Sequence, residues 1–189
     1  MKKVLFALFV LTLGCWNASA QDDGEPLFMK NGPVPQIVGF DFMYPETVGY
    51  VNRLSKKDDK AFLVKTTYAA NVFYERGSMF RLKFEAGATM IQGPTDTDAT
   101  RNVPAIGGTV LVGYPFVGFK QRTYVLGYFG VGLAAAPYYG LFGKALFELR
   151  LSHYITNTLG LNAMVRFSNY AAQEGDLPVS IGAGLSYML

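Results

Sequence analysis

Ser168 is the residue whose neighbours in the sequence most suggest catalysis. It lies in the run Arg166-Phe167-Ser168-Asn169. A serine hydroxyl becomes a nucleophile when a nearby base takes its proton. Arg166 stays protonated and cannot accept that proton, and the only histidine of the chain, His153, lies fifteen residues before Ser168. Ser168 is therefore a candidate nucleophile that has no base within its own run, and we expect no complete catalytic set.

This run is similar to the His-x-Ser-Asn motif of the outer-membrane lipid A deacylase family. The resemblance implies a histidine base, the serine nucleophile and an acidic residue further along the chain, for which Glu174 and Asp176 are available. Here Arg166 occupies the position of the histidine, and we expect His153 to lie at the opposite height of the fold. A lipid A-modifying enzyme of the deacylase type is therefore an alternative function, with a degenerate motif because Arg166 replaces the base.

Other charged residues recur at every second position within apolar segments. Between Met79 and Ile91, Arg81, Lys83 and Glu85 share one face with Gly87 and Thr89, while apolar side chains occupy the other face. The segment from Leu141 to His153 repeats the pattern, with Lys144, Glu148, Arg150 and Ser152 on one face. Alternation with a period of two predicts β-strands with one polar and one apolar face.

Eight segments of the chain are predicted as strands. They are Ile37–Tyr44, Phe62–Tyr74, Met79–Ile91, Ile106–Phe119, Tyr124–Leu133, Leu141–His153, Leu159–Tyr170 and Val179–Leu189. Most exceed the usual five or six residues of soluble strands and match the roughly 9 to 11 residues that cross a membrane at a tilt. The segments predict an all-β fold, an eight-stranded antiparallel up-and-down transmembrane β-barrel.

The predicted links alternate between short and long. The short links are Glu75–Ser78, Lys120–Thr123 and Ile155–Thr158, and the long ones are Pro45–Ala61, Gly93–Ala105, Ala134–Gly140 and Ala171–Pro178. Bacterial barrels have short periplasmic turns and longer outward loops. The alternation therefore predicts that both ends of the barrel segment lie on the periplasmic side.

An eight-stranded barrel has an interior just wide enough for side chains. The polar faces place charges of both signs in this interior, and buried charges require partners. We therefore predict a structural salt-bridge network that plugs the barrel. Its members are Asp41, Lys65, Arg81, Lys83, Glu85, Lys144, Glu148, Arg150 and Arg166.

The first twenty residues have the composition of a secretory signal. Lys2 and Lys3 precede an apolar stretch, and small residues end at Ala20. We predict that residues 1–20 are a signal peptide for Sec-type export, that 21–35 form a flexible periplasmic leader and that 36–189 form the barrel. Lipidation at Cys15 is an open alternative to cleavage after Ala20.

The last predicted strand carries a polar, glycine, hydrophobic and aromatic spacing, formed by Ser180, Gly182, Leu185, Tyr187 and the terminal Leu189. With this strand the chain resembles the small eight-stranded outer-membrane barrels of Gram-negative bacteria. The resemblance implies that these five residues are an assembly signal read by the barrel-assembly machinery. It also implies a cell outer membrane location, with lipid and lipopolysaccharide as further partners and a monomeric state.

Composition narrows the function further. Half of the residues are apolar and 16% are charged, yet no segment after the signal is apolar for long enough to form a membrane-spanning helix. Loss of Lys2 and Lys3 lowers the formal charge from +3 to +1, so we expect no nucleic-acid partner. With one histidine and no cysteine after the signal, we expect no metal and no cofactor.

The sequence thus predicts a porin-like membrane protein that is more readily a non-enzymatic barrel than an enzyme. Its expected role is structural, or binding through its surface loops. The lipid A-modifying enzyme described above is one alternative. A secreted lipocalin-like binding barrel, soluble without detergent, is the other.

Overall fold

The computed structural model describes residues 34–44, 47–51, 62–78, 80–94, 100–119, 122–137, 140–170 and 179–189. Within these residues the chain forms nine antiparallel strands. They are β1 (Gln36–Tyr44), β2 (Thr47–Val51), β3 (Phe62–Gly77), β4 (Arg81–Pro94), β5 (Thr100–Phe119), β6 (Thr123–Ala136), β7 (Gly140–Tyr154), β8 (Leu159–Tyr170) and β9 (Val179–Met188). None of the described residues belong to a helix long and apolar enough to cross a membrane.

The sheet closes on itself because β1 pairs with both β9 and β3. The remaining strands pair with their neighbours in chain order from β3 to β9. The short strand β2 follows β1 and pairs with the first part of β3. β1 and β2 therefore share one position in the wall, and the prediction of a closed eight-stranded antiparallel barrel is confirmed.

Inner and outer faces alternate along the strands as the period-two pattern predicts. On β4, Arg81, Lys83 and Glu85 are no more than 5% exposed, whereas Leu82 and Phe84 between them are 40% and 45% exposed. Backbone pairing uses the same hydrogen bonds whichever side chain is present, so the side chains alone decide which face turns inward. Charged side chains of β4 accordingly point into the barrel.

Several predicted strand limits were wrong. The predicted long link Pro45–Ala61 contains β2, and β5 begins at Thr100 rather than Ile106. The predicted turn at Glu75 is also wrong, because β3 continues to Gly77, which pairs with Arg81. Gly77 has a φ of 141°, and a Cβ there would collide with the carbonyl oxygen of Phe80. The polar composition of these segments suggested links, but backbone pairing across the hairpins extends the strands through them.

Both ends of the barrel segment meet the short turns. The amide of Gly77 donates to the carbonyl of Pro35, and the amide of Leu189 donates to the carbonyl of Gln36. The amide of Met188 donates to the carbonyl of Thr158 in the β7–β8 turn. These bonds fasten the first and last strands to one end of the barrel, which we call the short-turn end.

Part of the interior is filled by apolar and aromatic side chains. Its buried cluster consists of Ile37, Phe73, Leu111, Tyr124, Leu126, Tyr128, Leu146 and Tyr154. A smaller buried cluster contains Met43, Ala69 and Met164. Charged side chains lie among these groups, and they form the candidate site.

Some predictions fall outside the described residues. These are the signal peptide, Cys15, nearly all of the leader, and the acids Glu174 and Asp176. Most of the residues in the longer predicted links are outside the described part as well. These features stay predictions.

Candidate functional site: the charged interior of the barrel

Glu148 on β7 is the centre of a buried ion-pair cluster. Its Oε1 atom accepts hydrogen bonds from Lys83 Nζ at 3.1 Å and from Arg150 Nε at 2.9 Å. Its Oε2 atom accepts from Arg166, whose Nε lies 3.0 Å away and whose Nη2 makes a second contact. The Glu148 side chain is fully buried. One carboxylate therefore meets three cations, which come from β4, β7 and β8.

Two further carboxylates complete the cluster. Asp41 on β1 forms ion pairs with Arg150 and with Lys83, the latter at 3.4 Å. Glu85 on β4 pairs with Lys83 at 2.5 Å and with Arg166 at 2.7 Å. We call these six residues, Asp41, Lys83, Glu85, Glu148, Arg150 and Arg166, the central network.

The central network balances three cations against three carboxylates. Its members are at most 5% exposed, so any unmatched charge would have to be carried in a medium that solvates it poorly. The contact between Arg166 of β8 and Glu85 of β4 joins strands that lie on opposite sides of the eight-stranded wall. The network therefore bridges the lumen instead of lining one side of it.

Aromatic rings flank the cations of the network. Lys83 Nζ lies 4.7 Å from the centroid of the Phe73 ring and 5.3 Å from that of Tyr128. The guanidinium carbon of Arg150 lies 4.8 Å and 5.9 Å from the same two rings. Because the face of an aromatic ring carries negative charge density, these contacts add to the stabilisation that the carboxylates supply.

A separate ion pair lies nearer the short-turn end. Arg81 Nη1 contacts Glu75 Oε1 at 2.6 Å, and the hydroxyl of Tyr128 donates to Glu75 Oε2 at 2.8 Å. Glu75 is 3% exposed. Sequence reasoning missed Glu75 because it assigned the residue to a polar turn. The signal available was its spacing, since Phe73 and Glu75 continue the alternation of the preceding strand.

The remaining residues predicted for the interior are Lys144 and Lys65. Lys144 on β7 is partly buried, and its Cε lies close to Gly132 of the neighbouring strand β6. Lys65 pairs through its backbone with Gln92, and its side chain is outside the described part. A register shift separates Thr66 from Ala69 on β3, so the alternation of the later part of β3 does not extend to Lys65.

None of the residues in the described part of the chain brings a base to Ser168. Ser168 is fully buried on the inner face of β8 opposite Leu146, and its hydroxyl has no hydrogen-bond partner among the described residues. His153 lies on the outer face, where its Nδ1 is 2.8 Å from Thr123 Oγ1. His153 is also seven residues from Leu146 along β7, which is about 23 Å at 3.3 Å per residue. Ser168 and His153 therefore cannot meet.

The residues of the predicted assembly signal alternate along β9. Ser180 is buried and pairs with Arg166 of β8. Leu185 and Tyr187 lie on the outer face with about half of their surface exposed, 51% and 49%. Gly182 pairs with Met43 of β1, while Leu189 follows the end of the strand. The structure thus places these residues at the seam where the last strand meets the first.

Three comparisons with known proteins place the fold in context. No protein-family model matches the chain, and no curated protein matches it. Among solved structures, the outer membrane protein OprG from Pseudomonas aeruginosa aligns with a TM-score of 0.51 and 10% sequence identity, over 82% of this chain and 95% of that one. At this identity the similarity shows the barrel fold, and the deacylase resemblance receives no support.

Proposed function

We propose that this chain is a non-enzymatic outer-membrane β-barrel whose lumen is closed by the central network. The observation that carries the proposal is the distribution of polarity across the wall. The carboxylates with described side chains, Asp41, Glu75, Glu85 and Glu148, are all buried inside. The outer face instead exposes large apolar residues on strand after strand.

The outer face favours lipid over water as its surroundings. Phe40 on β1, Val112 on β5, Phe129 on β6 and Ile181 on β9 are each 46% to 64% exposed. A monomeric soluble protein rarely exposes a continuous apolar surface of more than a few hundred Å², whereas membrane barrels present an apolar band around their whole circumference. This argues against the secreted lipocalin-like alternative. The fold shared with the outer membrane protein OprG supports the same location.

The interior favours a closed barrel. A water-filled channel needs an open polar lumen, and an eight-stranded barrel has room only for side chains or one small ligand. Here two arginines, one lysine and three carboxylates contact one another across that space. The network thus supports a structural role, or one in which loops at the end opposite the short turns bind lipopolysaccharide or another surface partner.

The orientation of the barrel in the membrane follows from the connectivity of its strands. Bacterial barrels keep short turns and termini in the periplasm, and both ends of this barrel segment are hydrogen-bonded at the short-turn end. We therefore assign that end to the periplasm. This orientation is the one expected of a chain that reaches the outer membrane by Sec-type export. The outer-face residues of β9, Leu185 and Tyr187, would be available to the barrel-assembly machinery before the seam closes.

The geometry of the described residues gives no support to an enzymatic role. The hydroxyl of Ser168 is buried beside Arg166, and His153 is on the other side of the wall. The lipid A-modifying alternative would require a base that the described residues do not bring to Ser168.

Electrophoresis of the membrane fraction tests the location. A folded monomeric barrel should migrate differently before and after boiling, and the protein should stay with membranes after an alkaline wash. A matched soluble periplasmic protein should leave the pellet in the same wash. Recovery of this chain as a freely soluble monomer would contradict the proposal.

Electrical recording in planar bilayers tests closure separately. The folded protein should produce no steady ion conductance, because the central network fills the lumen. A stable single-channel current from the parent protein would show that the barrel is a pore, even if the electrophoretic test places it in the membrane.

A further inference from the structure

An aromatic group with one arginine lies on the outer face at the short-turn end. Phe80 in the β3–β4 turn lies 5.7 Å from Tyr114 of β5, and Tyr114 lies 6.1 Å from Phe116, measured between ring centroids. Arg76 of β3 pairs with Leu82, one position before the Gly77–Arg81 pair that closes the turn containing Phe80. We call Arg76, Phe80, Tyr114 and Phe116 the rim patch.

The rim patch lies where β5 pairs irregularly with its two neighbouring strands. β4 begins at Arg81, which pairs with Gly113, so β5 continues past the end of its ladder with β4. The register with β6 shifts between Pro115 and Val117 at this point. The ring of Phe116 lies over Gly127 of β6, in the space that a side chain there would occupy. The aromatic rings therefore cover a part of the outer wall where the pairing between strands is irregular.

These rings are placed toward the surroundings of the barrel. Phe80 is 68% exposed and Phe116 is 56% exposed. The hydroxyl of Tyr114 makes no hydrogen bond to any residue in the described part of the chain. Aromatic residues with an apolar body and a polar edge are enriched where hydrocarbon meets the headgroups of a bilayer. The patch has the composition of such a boundary.

Arg76 adds a positive charge to the patch. It is exposed, whereas the side-chain carboxylates of the described residues, Asp41, Glu75, Glu85 and Glu148, all lie inside the barrel and pair with other cations there. A guanidinium binds phosphate with two parallel hydrogen bonds. The rim patch thus combines aromatic rings, which suit the edge of a bilayer, with an arginine whose charge is complementary to an anionic group from outside the protein.

We infer that the rim patch binds the headgroup of an anionic phospholipid in the periplasmic leaflet, an inference that rests on the proposed membrane location. Arg76 contacts the phosphate, and the Tyr114 hydroxyl donates to an ester carbonyl. The acyl chains follow the outer face beside Leu82 and Val112. A zwitterionic headgroup such as that of phosphatidylethanolamine brings an ammonium group for which the patch has no carboxylate, so phosphatidylglycerol is preferred.

Native mass spectrometry of the folded barrel measures this preference. The protein is released from vesicles of phosphatidylglycerol and phosphatidylethanolamine in equal amounts, and the retained lipids are counted. The parent should retain phosphatidylglycerol preferentially. Arg76→Gln should lower the ratio of the two retained lipids about fivefold, the effect of one basic residue near a membrane surface. Phe80→Ala should lower retention of both lipids together.

Arg122→Gln is the matched control. Arg122 is a second exposed arginine at the short-turn end, but its guanidinium donates to the carbonyl of Ile155 at 3.3 Å and lies outside the rim patch. Its replacement should leave the lipid ratio close to that of the parent. An unchanged ratio in Arg76→Gln, or an equal loss in Arg122→Gln, would overturn the inference. If the parent inserts and shows heat-modifiable migration but has no lipid preference, the inference fails while the membrane location stands.

Discussion

Replacing Glu148 with glutamine removes the centre of the ion-pair network while keeping its shape. The variant leaves the cations Lys83, Arg150 and Arg166 with only two carboxylates, Asp41 and Glu85. Glutamine still offers one oxygen to the arginines, but it cannot neutralise them. We expect the folded barrel to be strongly destabilised, because one buried positive charge then has no counterpart.

The magnitude follows from the burial of the pair. Glu148 is fully buried and accepts hydrogen bonds from all three cations. Removing one partner of a buried ion pair costs about 3–5 kcal/mol, so the free energy of unfolding should fall by about that amount. In the double variant Glu148→Gln/Arg166→Met the charges balance again. The contacts of Arg150 with Asp41 and of Lys83 with Glu85 remain, so the double variant should be more stable than Glu148→Gln alone.

Urea titration of the protein in lipid vesicles provides the assay. The folded fraction is read from the unboiled gel band and from circular dichroism, because cleavage after Ala20 would remove the only tryptophan, Trp16. A Glu148→Gln variant within 1 kcal/mol of the parent would show that the interior is hydrated and that the network contributes little. A double variant less stable than Glu148→Gln alone would refute the charge-balance reasoning.

Three further substitutions test other parts of the structure. Ser168→Ala removes a buried hydroxyl that has no hydrogen-bond partner among the described residues, so the free energy of unfolding should rise by about 1 kcal/mol. The lipid A acylation profile, measured by mass spectrometry, should stay unchanged, and an altered profile would reveal catalysis. Gly77→Ala places a Cβ against the Phe80 carbonyl at a positive φ, so the free energy of unfolding in the same urea titration should fall by about 1–3 kcal/mol. A variant as stable as the parent would contradict the described conformation of the β3–β4 turn. Val131→Lys puts a charge on the outer face near the middle of β6, where Val131 is 60% exposed. It should cost about 2–4 kcal/mol, the cost of a lysine near the midplane of a bilayer. No loss in the same titration would place this face in water.

The alternation of side chains allowed the barrel and most of its interior to be predicted from the sequence. On β4 and β7 the charged residues occupy one face only, and this pattern fixes which face is buried once the strands are paired. Asp41, Arg81, Lys83 and Glu148 accordingly lie inside. Which cation meets which carboxylate could not be predicted, because the contacts join strands on opposite sides of the lumen.

Local composition misled the prediction where strands pass through polar segments. Glu75 has the composition of a turn residue, yet its backbone pairs with Lys83 and its side chain binds Arg81. The strand β2 was missed for a related reason, since its five residues lie within the segment Pro45–Ala61, which is rich in charged residues. The register shift beside Ala69 on β3 also has no sequence signature that alternation alone would reveal.

Spin labelling of β6 tests the central claim most directly. In the chain that begins at Gln21, which has no native cysteine, single cysteines are placed at the outward positions Phe129, Val131 and Leu133 and at the buried position Leu126. After reconstitution, nitroxides at the three outward positions should collide readily with oxygen and poorly with a water-soluble nickel chelate, while the label at Leu126 should be immobile and inaccessible to both. Ready access of the nickel chelate to the outward positions would place this face in water and contradict the account.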